Sequence, residues 1–266
     1  MNDRVLIDFE GPVALVTLNR ADKHNGVDLP MLDAVIAAQK RLRGMRELRG
    51  VILRGAGPSF CAGLDFKSVL GDPKKALASY LQLWRPFRND FQRWSVGWRE
   101  VPMPVVALLH GNCFGAGLQL GLGADIRIAT PDARLSLMEA KWGLVPDMGG
   151  VLLMRELLPI DVAKELAMSG RVVTGEEAGS LGLVTHVDGD PLALGLRILS
   201  EMATRSPDSI AASKFLLQDA WLASDAEALR FERRWQRRVM GRRNQRIAME
   251  RNRKNEEIAF GKRRIQ

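Results

Sequence analysis

Three short apolar runs, separated by stretches with helical spacing, constrain the fold of this 266-residue chain more than any other feature. Residues 13–18, 51–54 and 105–109 are rich in aliphatic and β-branched side chains, a pattern typical of buried strands. Between the first two runs, apolar residues recur at helical spacing over 29–42, and Pro30 suits the first turn of a helix. The order of strand, helix and strand predicts an α/β core.

The second half of the chain continues this alternation and then becomes helical. An aromatic-rich stretch at 74–99 and a later stretch at 151–169 both have helical spacing. From residue 191 onward the whole pattern is helical and increasingly basic. We therefore predict a core over residues 1–200 and a helical C-terminal region over residues 201–266, which carries a basic tail.

The formal net charge of +8 is concentrated in one segment of the sequence. Residues 230–264 contain 14 Lys/Arg and 4 Asp/Glu, so the rest of the chain is close to neutral. Such a segment is compatible with a solvated helix face, a contact with a neighbouring subunit, or binding to a polyanion or a membrane surface. Because no RNA-binding motif accompanies it, we favour the first two interpretations and do not expect nucleic acid as a partner.

The cysteines and the distribution of apolar residues argue against several classes of protein. Cys61 and Cys113 are too few for a disulfide framework and lie outside metal-binding spacings, so we expect neither a disulfide nor a metal. No run approaches the roughly 18 apolar residues of a membrane span, and the sequence starts with acids where a secretory signal needs an apolar stretch. We expect a soluble, cytoplasmic protein without a membrane partner.

Two glycine-rich segments, residues 61–65 and 111–117, are the strongest candidates for chemistry. Each follows a predicted strand, and glycine lets the backbone turn tightly and approach a ligand closely. The backbone N–H groups of Leu64 and Ala116 would then converge on one oxygen and form an oxyanion hole. Taken singly, such segments more often serve packing or phosphate binding.

Five segments in a fixed order give these motifs their meaning: residues 18–25, residues 59–65, residues 110–120, Glu139 with 143–146 and 149–150, and residues 169–184. Together they closely resemble the crotonase, or enoyl-CoA hydratase/isomerase, superfamily. The resemblance implies a spiral of repeated ββα units, with a helical C-terminal region used in trimer or hexamer assembly. It also implies an acyl-CoA thioester substrate whose enolate is stabilised by two backbone N–H groups.

The resemblance assigns roles to individual residues of these segments. It makes Leu64 and Ala116 the oxyanion donors, and Ala116 replaces the middle glycine of a family Gly-Gly-Gly run. Because a methyl group disfavours positive φ, this replacement affects the expected geometry of the hole. The resemblance implies contacts with CoA or the substrate at six further positions: Lys23, His24, Ala62, Gly63, Asp65 and Gly115. No separate cofactor is implied, since CoA is part of the substrate.

Three side chains decide which reaction the resemblance implies. Family hydratases have two glutamates at the positions of Gln119 and Glu139, and glutamine cannot exchange a proton at neutral pH. Asp147 stands where hydratases usually have glycine, and where dienoyl-CoA isomerases have a catalytic aspartate and related dehalogenases a nucleophilic one. We therefore predict Glu139, Asp147 and Gln119 as catalytic residues of an enoyl- or dienoyl-CoA isomerase.

Several alternatives remain open on the sequence alone. The dienoyl isomerases also have an aspartate at the position of Gln119, so a simple Δ3-to-Δ2 enoyl isomerase is one alternative. A 2-enoyl-CoA hydratase in which Gln119 orients water is another, and a non-catalytic or RNA-binding protein on this scaffold is a third. Without the resemblance, Glu139 could be a surface acid and Asp147 the N-cap of a helix starting near Gly149.

Overall fold

The computed structural model describes residues 3–71 and 73–266. Its strands are, in chain order, β1 (Val5–Glu10), β2 (Val13–Leu18), β3 (Gly50–Gly55), β4 (Val105–Leu109), β5 (Asn112–Phe114), β6 (Ile126–Ala129), β7 (Arg134–Ser136), β8 (Val173–Thr174) and β9 (His186–Val187). The strands predicted at 13–18, 51–54 and 105–109 are confirmed.

Within the described residues the strands form two sheets. The larger sheet has the order β1-β2-β3-β4-β6-β9, and the smaller has the order β5-β7-β8. The β1 and β2 strands are antiparallel, whereas β2, β3, β4, β6 and β9 are parallel, with Val16 beside Leu53 and Leu53 beside Ala107. Sequence patterns missed β1, because most of its side chains are exposed or half-exposed and it lacks a continuous apolar run.

The helices of the described residues connect and cover these sheets: α1 (Leu29–Gly44), α2 (Phe66–Leu70), α3 (Pro73–Leu81), α4 (Asp90–Val96), α5 (Ala116–Leu122), α6 (Gly150–Met154), α7 (Ile160–Ser169), α8 (Gly175–Ser180), α9 (Pro191–Ala203), α10 (Pro207–Ala220), α11 (Asp225–Val239) and α12 (Arg243–Lys254). The predicted first helix is confirmed, and Asp28 caps it by accepting a hydrogen bond from the N–H of Met31 at 2.9 Å. None of these helices is both long enough and apolar enough to cross a membrane.

Two predicted helical stretches are interrupted, and a proline lies at each interruption. The stretch at 74–99 breaks over residues 85–89, where Pro86 disfavours helical backbone for Arg85, which is extended. The stretch at 151–169 breaks between α6 and α7, where Pro159 precedes the first residue of α7. The apolar spacing continues across both breaks, so the pattern alone predicted single helices.

The central strands separate two layers of apolar side chains. Alternate residues of β3 face opposite ways, so Val51 and Leu53 pack with α1 in the larger core and Ile52 packs with Leu199 of α9 in the smaller one. The predicted division near residue 200 therefore falls inside a helix that packs on the sheet. The boundary itself remains a prediction.

The C-terminal residues 255–266 are not helical, so the prediction of helix to the end of the sequence is wrong for this segment. Asn255 ends α12 with positive φ, and the chain then returns to the core. Asp208 of α10 holds this segment by accepting hydrogen bonds from the N–H groups of Arg264 and Ile265. Because Asp208 lies more than fifty residues before this segment, no local sequence pattern predicts the contact.

Candidate functional site

The two glycine-rich segments lie side by side and are joined by backbone hydrogen bonds. Cys61 donates its N–H to the Asn112 carbonyl at 3.1 Å, and Phe114 donates its N–H to the Cys61 carbonyl at 3.0 Å. This pairing requires glycine at 117, because a Cβ there would lie 2.2 Å from the Cys61 carbonyl oxygen. Cys61 and Cys113 are both buried, and both are free thiols.

The two predicted oxyanion donors stand at the adjoining ends of these segments. Within the described residues, neither Leu64 nor Ala116 donates its N–H to a backbone carbonyl. Gly63 has φ +99°, and a Cβ built on it would lie 4.0 Å from the Ala116 nitrogen, which brings the two segments together. Ala116 begins α5, and its φ is not positive, so alanine fits this position without backbone strain. The roles of both donors remain predictions.

Glu139 lies beside the second glycine-rich segment, on the 3₁₀ turn Met138–Trp142 that follows β7. A Cβ at Gly115 would approach Glu139 Oε1 to 3.2 Å, so glycine at 115 leaves room for the carboxylate. The other oxygen, Oε2, is buried and has no hydrogen-bond partner within the described residues. An unsatisfied buried oxygen is costly, and such groups concentrate at functional sites.

The charge state of Glu139 depends on burial and on two neighbours. Burial raises the pKa of the Glu139 carboxyl group above its ordinary value, and the charge of Asp147 raises it further. Hydrogen bonds from its own backbone and from Gln119 oppose this rise in pKa, but the net direction is upward. A carboxyl group with a raised pKa is suited to exchanging protons near neutral pH.

Asp147 supplies a second carboxyl group, from the loop that precedes α6. The residue as a whole is exposed, yet enough protein surrounds its carboxyl group for burial to raise its pKa, against a hydrogen bond from its own backbone. Asp147 does not cap α6, because Gly149 is the N-cap residue and no side chain accepts a hydrogen bond there. The alternative in which Asp147 is only the N-cap of a helix therefore lacks the hydrogen bond that it requires.

Gln119 is fully buried and connects the three parts of the site. Its Nε2 donates to Glu139 Oε1 at 2.6 Å. Its Oε1 accepts from the N–H groups of Met148 and Gly150 at 3.0 and 2.9 Å. Gln119 therefore holds Glu139 with one end of its amide and the segment after Asp147 with the other.

The residues predicted to contact CoA lie around the first glycine-rich segment. Lys23 and His24 are exposed, and the His24 ring is 2.9 Å from the Ser59 hydroxyl. Ala62 donates its N–H to the His24 carbonyl, which ties this turn to the segment. Asp65 caps α2 and pairs with Arg20 at 2.9 Å. These contacts are structural, and the roles in binding remain predictions.

Sequence analysis missed two residues that shape this part of the site. Arg20 donates to the Gly26 carbonyl as well as to Asp65. Asn25 is fully buried with φ +54°, donates to the carbonyls of Ala56 and Ser59, and accepts from the Arg20 N–H. Both residues stand in segment 18–25, which carries part of the resemblance, but their contacts with Asp65, Ala56 and Ser59 lie about 30 to 45 residues away in sequence.

Exposed apolar side chains lie close in sequence to the two carboxyl groups. The rings of Phe66 and Trp142 lie with their centroids 4.8 Å apart, and this pair joins the Leu64 segment to the Glu139 turn. Trp142, Leu144 and Val145 are all exposed, and the last two lie in the loop that leads to Asp147. Exposed apolar groups beside charged ones are typical of a binding site for an apolar ligand.

A separate cavity of about 370 Å³ lies between the core and α10. Its wall includes Lys214, which is buried and donates to Asp125 at 2.7 Å, together with Arg127 and mostly apolar side chains. None of Gln119, Glu139 and Asp147 lines this cavity. We therefore place the candidate active site at the carboxyl pair, where the predicted residues meet, and not at this cavity.

Comparison with known proteins identifies the family of the chain. A family model described as Enoyl-CoA hydratase/isomerase matches residues 8–257. The chain is 29% identical over 233 residues to an enoyl-CoA hydratase of Mycobacterium tuberculosis, which covers 85% of each chain. It is 31% identical over 176 residues to the mitochondrial methylglutaconyl-CoA hydratase of Mus musculus, covering 66% of this chain and 54% of that protein.

Solved structures show the same fold. A crystal structure of an enoyl-CoA hydratase from Bacillus anthracis superposes with a TM-score of 0.89 over 97% of this chain and 98% of that chain, at 24% identity. The predicted crotonase-like α/β fold is therefore confirmed. The chain belongs to the enoyl-CoA hydratase/isomerase family of acyl-CoA enzymes.

Proposed function

We propose that this protein is an enoyl- or dienoyl-CoA isomerase that shifts a double bond by proton transfer through a thioester enolate. One observation carries the proposal. Within the described part of the chain, Glu139 Oε2 is buried without a partner and the charge of Asp147 influences the Glu139 carboxyl group, whereas position 119 holds an amide. Two carboxyl groups suffice to remove and return a proton, and the amide cannot take part in either step.

The proposed reaction begins with the thioester carbonyl oxygen between the N–H groups of Leu64 and Ala116. Glu139 acts as the base and removes a proton from the acyl chain through Oε2; the hydrogen bond from the Gln119 N–H favours the ionised form that this step needs, against the net rise in the Glu139 pKa. The electron pair of that C–H bond delocalises onto the carbonyl oxygen, and each oxyanion donor lowers the barrier by about 3 kcal/mol.

The second half of the proposed reaction returns a proton to the chain. Asp147 delivers a proton to a carbon further along, and the double bond moves; burial raises the pKa of its carboxyl group and so favours the protonated form that this step needs. One proton leaves the substrate and one enters it, so the reaction needs no metal and no redox cofactor. Exchange with solvent then restores the starting charges of the two carboxyl groups.

Incubation of the purified protein with 3,5-dienoyl-, 3-enoyl- and 2-enoyl-CoA tests the proposal. Diene absorbance that changes with the 3,5-dienoyl substrate, or conversion of the 3-enoyl to the 2-enoyl thioester, is the expected result. Hydration of the 2-enoyl substrate without any shift of a double bond would reject isomerisation.

A hydratase is the second candidate, and the names of relatives support it. The Mycobacterium tuberculosis and Mus musculus proteins are both named hydratases. In this case Glu139 would activate water, and Gln119 would hold Glu139 without exchanging a proton. The same incubation separates the two candidates, since only a hydratase consumes the 2-enoyl thioester by adding water.

We also propose that the chain assembles into a trimer or hexamer, as the family resemblance implies. The helical C-terminal region supports this proposal with large exposed apolar side chains, including Leu217, Trp221 and Leu222 at the end of α10. Sedimentation or light scattering at several protein concentrations tests it. A monomer at all concentrations would contradict it.

A further inference from the structure

The amide of Gln119 has a fixed polarity. Its Oε1 faces two backbone N–H donors, those of Met148 and Gly150, and its Nε2 faces the acceptor Glu139 Oε1. Rotating the amide by half a turn would oppose donor to donor and acceptor to acceptor at all three contacts. The amide therefore always donates to Glu139, holding the oxygen that it faces, Oε1, while the other oxygen, Oε2, has no partner within the described residues.

The surrounding backbone is shaped to admit these contacts. A Cβ at Gly150 would lie 2.7 Å from Gln119 Oε1, so glycine at 150 allows its N–H to approach the amide. Gly149, with φ +92°, turns the chain immediately before it. The Gly-Gly pair thus serves the Gln119 amide, which lies about 30 residues earlier in the sequence.

We propose that Gln119 is a positioning residue that aims Glu139 Oε2 at the substrate, fastens Glu139 to the segment carrying Asp147, and selects isomerisation over water addition. The selection of isomerisation by Gln119 rests on the proposed function. The positioning of Glu139 by Gln119 applies to any reaction that uses Glu139. Gln119 was predicted as catalytic from its place in the family pattern. Its full burial and saturated acceptor favour action through Glu139 instead.

Replacing the amide by a carboxyl group would change the chemistry of the site. A glutamate at 119 would place two carboxyl groups at the 2.6 Å contact now made by the amide, and they would share one proton. That shared proton is available to a reacting substrate, as two-carboxylate water addition requires. We therefore expect Gln119→Glu to gain hydration of 2-enoyl-CoA and to lose isomerisation.

The chain contains a matched control for the loss of the amide. Gln39 is also buried, and its Nε2 donates to the backbone carbonyls of Arg93 and Trp94 instead of to a carboxyl group. Gln119→Met and Gln39→Met each remove a buried amide and keep a flexible side chain of similar length. Both variants should lower the melting temperature to a similar extent, so stability alone will not distinguish them.

Activity and its pH dependence should separate the two variants. Losing a hydrogen bond to the Glu139 carboxylate should lower kcat by about 10- to 100-fold in Gln119→Met, with KM changing little. Because that bond favours the ionised form of Glu139, its loss should move the acidic limb of the rate profile to higher pH. Gln39→Met should keep the wild-type kcat and pH profile.

Titration of the Glu139 carboxyl group without substrate tests the positioning role independently of the reaction type. In protein labelled with ¹³C at glutamate carboxyls, with Glu139→Gln as the assignment control, the Glu139 titration should move to higher pH in Gln119→Met. This shift would support the positioning role even if the wild type proved to be a hydratase. An unchanged titration and pH profile in Gln119→Met would overturn the positioning role, and Gln119→Glu without hydration would overturn the selection.

Discussion

Among the described residues, the pairs Gln119–Glu139 and Asn244–Asp208 both join an amide to a carboxylate, but only the second carboxylate has both oxygens hydrogen-bonded. In the site, Gln119 donates to Glu139 at 2.6 Å, and in the C-terminal region Asn244 donates to Asp208 at 2.7 Å. The second oxygen of Asp208 accepts two backbone N–H groups of the segment 261–266, so its carboxylate is fully occupied. The second oxygen of Glu139 has no partner within the described residues.

A hydrogen bond between an amide and a carboxylate does not by itself mark a functional site. Asp208 is buried with both of its oxygens hydrogen-bonded, and the Oδ1 of Asn244 also accepts a hydrogen bond, from the Gly261 N–H at 2.9 Å. This arrangement joins α10, α12 and the C-terminal segment. Glu139 retains one oxygen for another molecule, and we attribute reactivity to that difference.

The largest expected effect comes from replacing the carboxyl group of Glu139, the proposed base. Glu139→Gln should lower kcat/KM by about 10³- to 10⁴-fold, because an amide cannot accept the substrate proton. Steady-state kinetics measure this loss, and Glu165→Gln, an exposed acid paired with Arg171, is the control. A kcat/KM within tenfold of the wild type would remove Glu139 from the mechanism.

Asp147→Asn should have the next largest effect. Isomerisation should fall by about 10²- to 10³-fold, since the returning proton would have to come from water. A hydratase that uses Glu139 alone should tolerate this substitution. Wild-type isomerisation by Asp147→Asn would show that this carboxyl group has no part in proton transfer.

Asp208→Ala should affect stability and spare catalysis. Removing a fully occupied buried carboxylate leaves Asn244 and two backbone N–H groups without their acceptor, which should lower the free energy of unfolding by about 3 kcal/mol. Denaturant titration measures the change, with exposed Asp132→Ala as control. If Asp208→Ala abolished kcat in protein that remains folded, the contrast between the two pairs would fail.

The smallest expected effect concerns the pH dependence of stability. The pKa of Glu139 is raised in the folded protein, so its contribution to stability is fully present at pH values below the unfolded pKa. That contribution is lost as the pH rises through the folded pKa. Glu139→Gln should therefore gain stability relative to the wild type between acidic and neutral pH, as thermal unfolding at several pH values can show. A constant difference would contradict the raised pKa.

The sequence predicted those parts of the molecule that depend on local pattern or on motifs in a fixed order. Apolar runs located β2, β3 and β4, and the resemblance led to Glu139 and Asp147, whose carboxyl groups interact. Proline positions were available in the sequence, but helical spacing outweighed them at Pro86 and Pro159.

Other features depend on contacts between distant residues and could not be read from a pattern. Asp208 meets its backbone partners more than fifty residues later, and Gln119 meets Gly150 about thirty residues later. Sequence spacing does not show that both carboxylate oxygens of Asp208 are hydrogen-bonded, or that Glu139 Oε2 has no partner within the described residues. The distinction needs the complete hydrogen-bond inventory of each oxygen.

The product formed from an unsaturated acyl-CoA tests the central claim most directly. Mass spectrometry of the thioester together with its ultraviolet absorbance, after reaction of wild-type protein with 3,5-dienoyl- or 3-enoyl-CoA, distinguishes rearrangement from addition, because the mass reports added water and the absorbance reports a displaced double bond. We predict a product of unchanged mass with a displaced double bond, formed by wild type and lost in Glu139→Gln. A product that only gains the mass of one water, with no displaced double bond, would contradict the proposal that Glu139 and Asp147 isomerise the substrate.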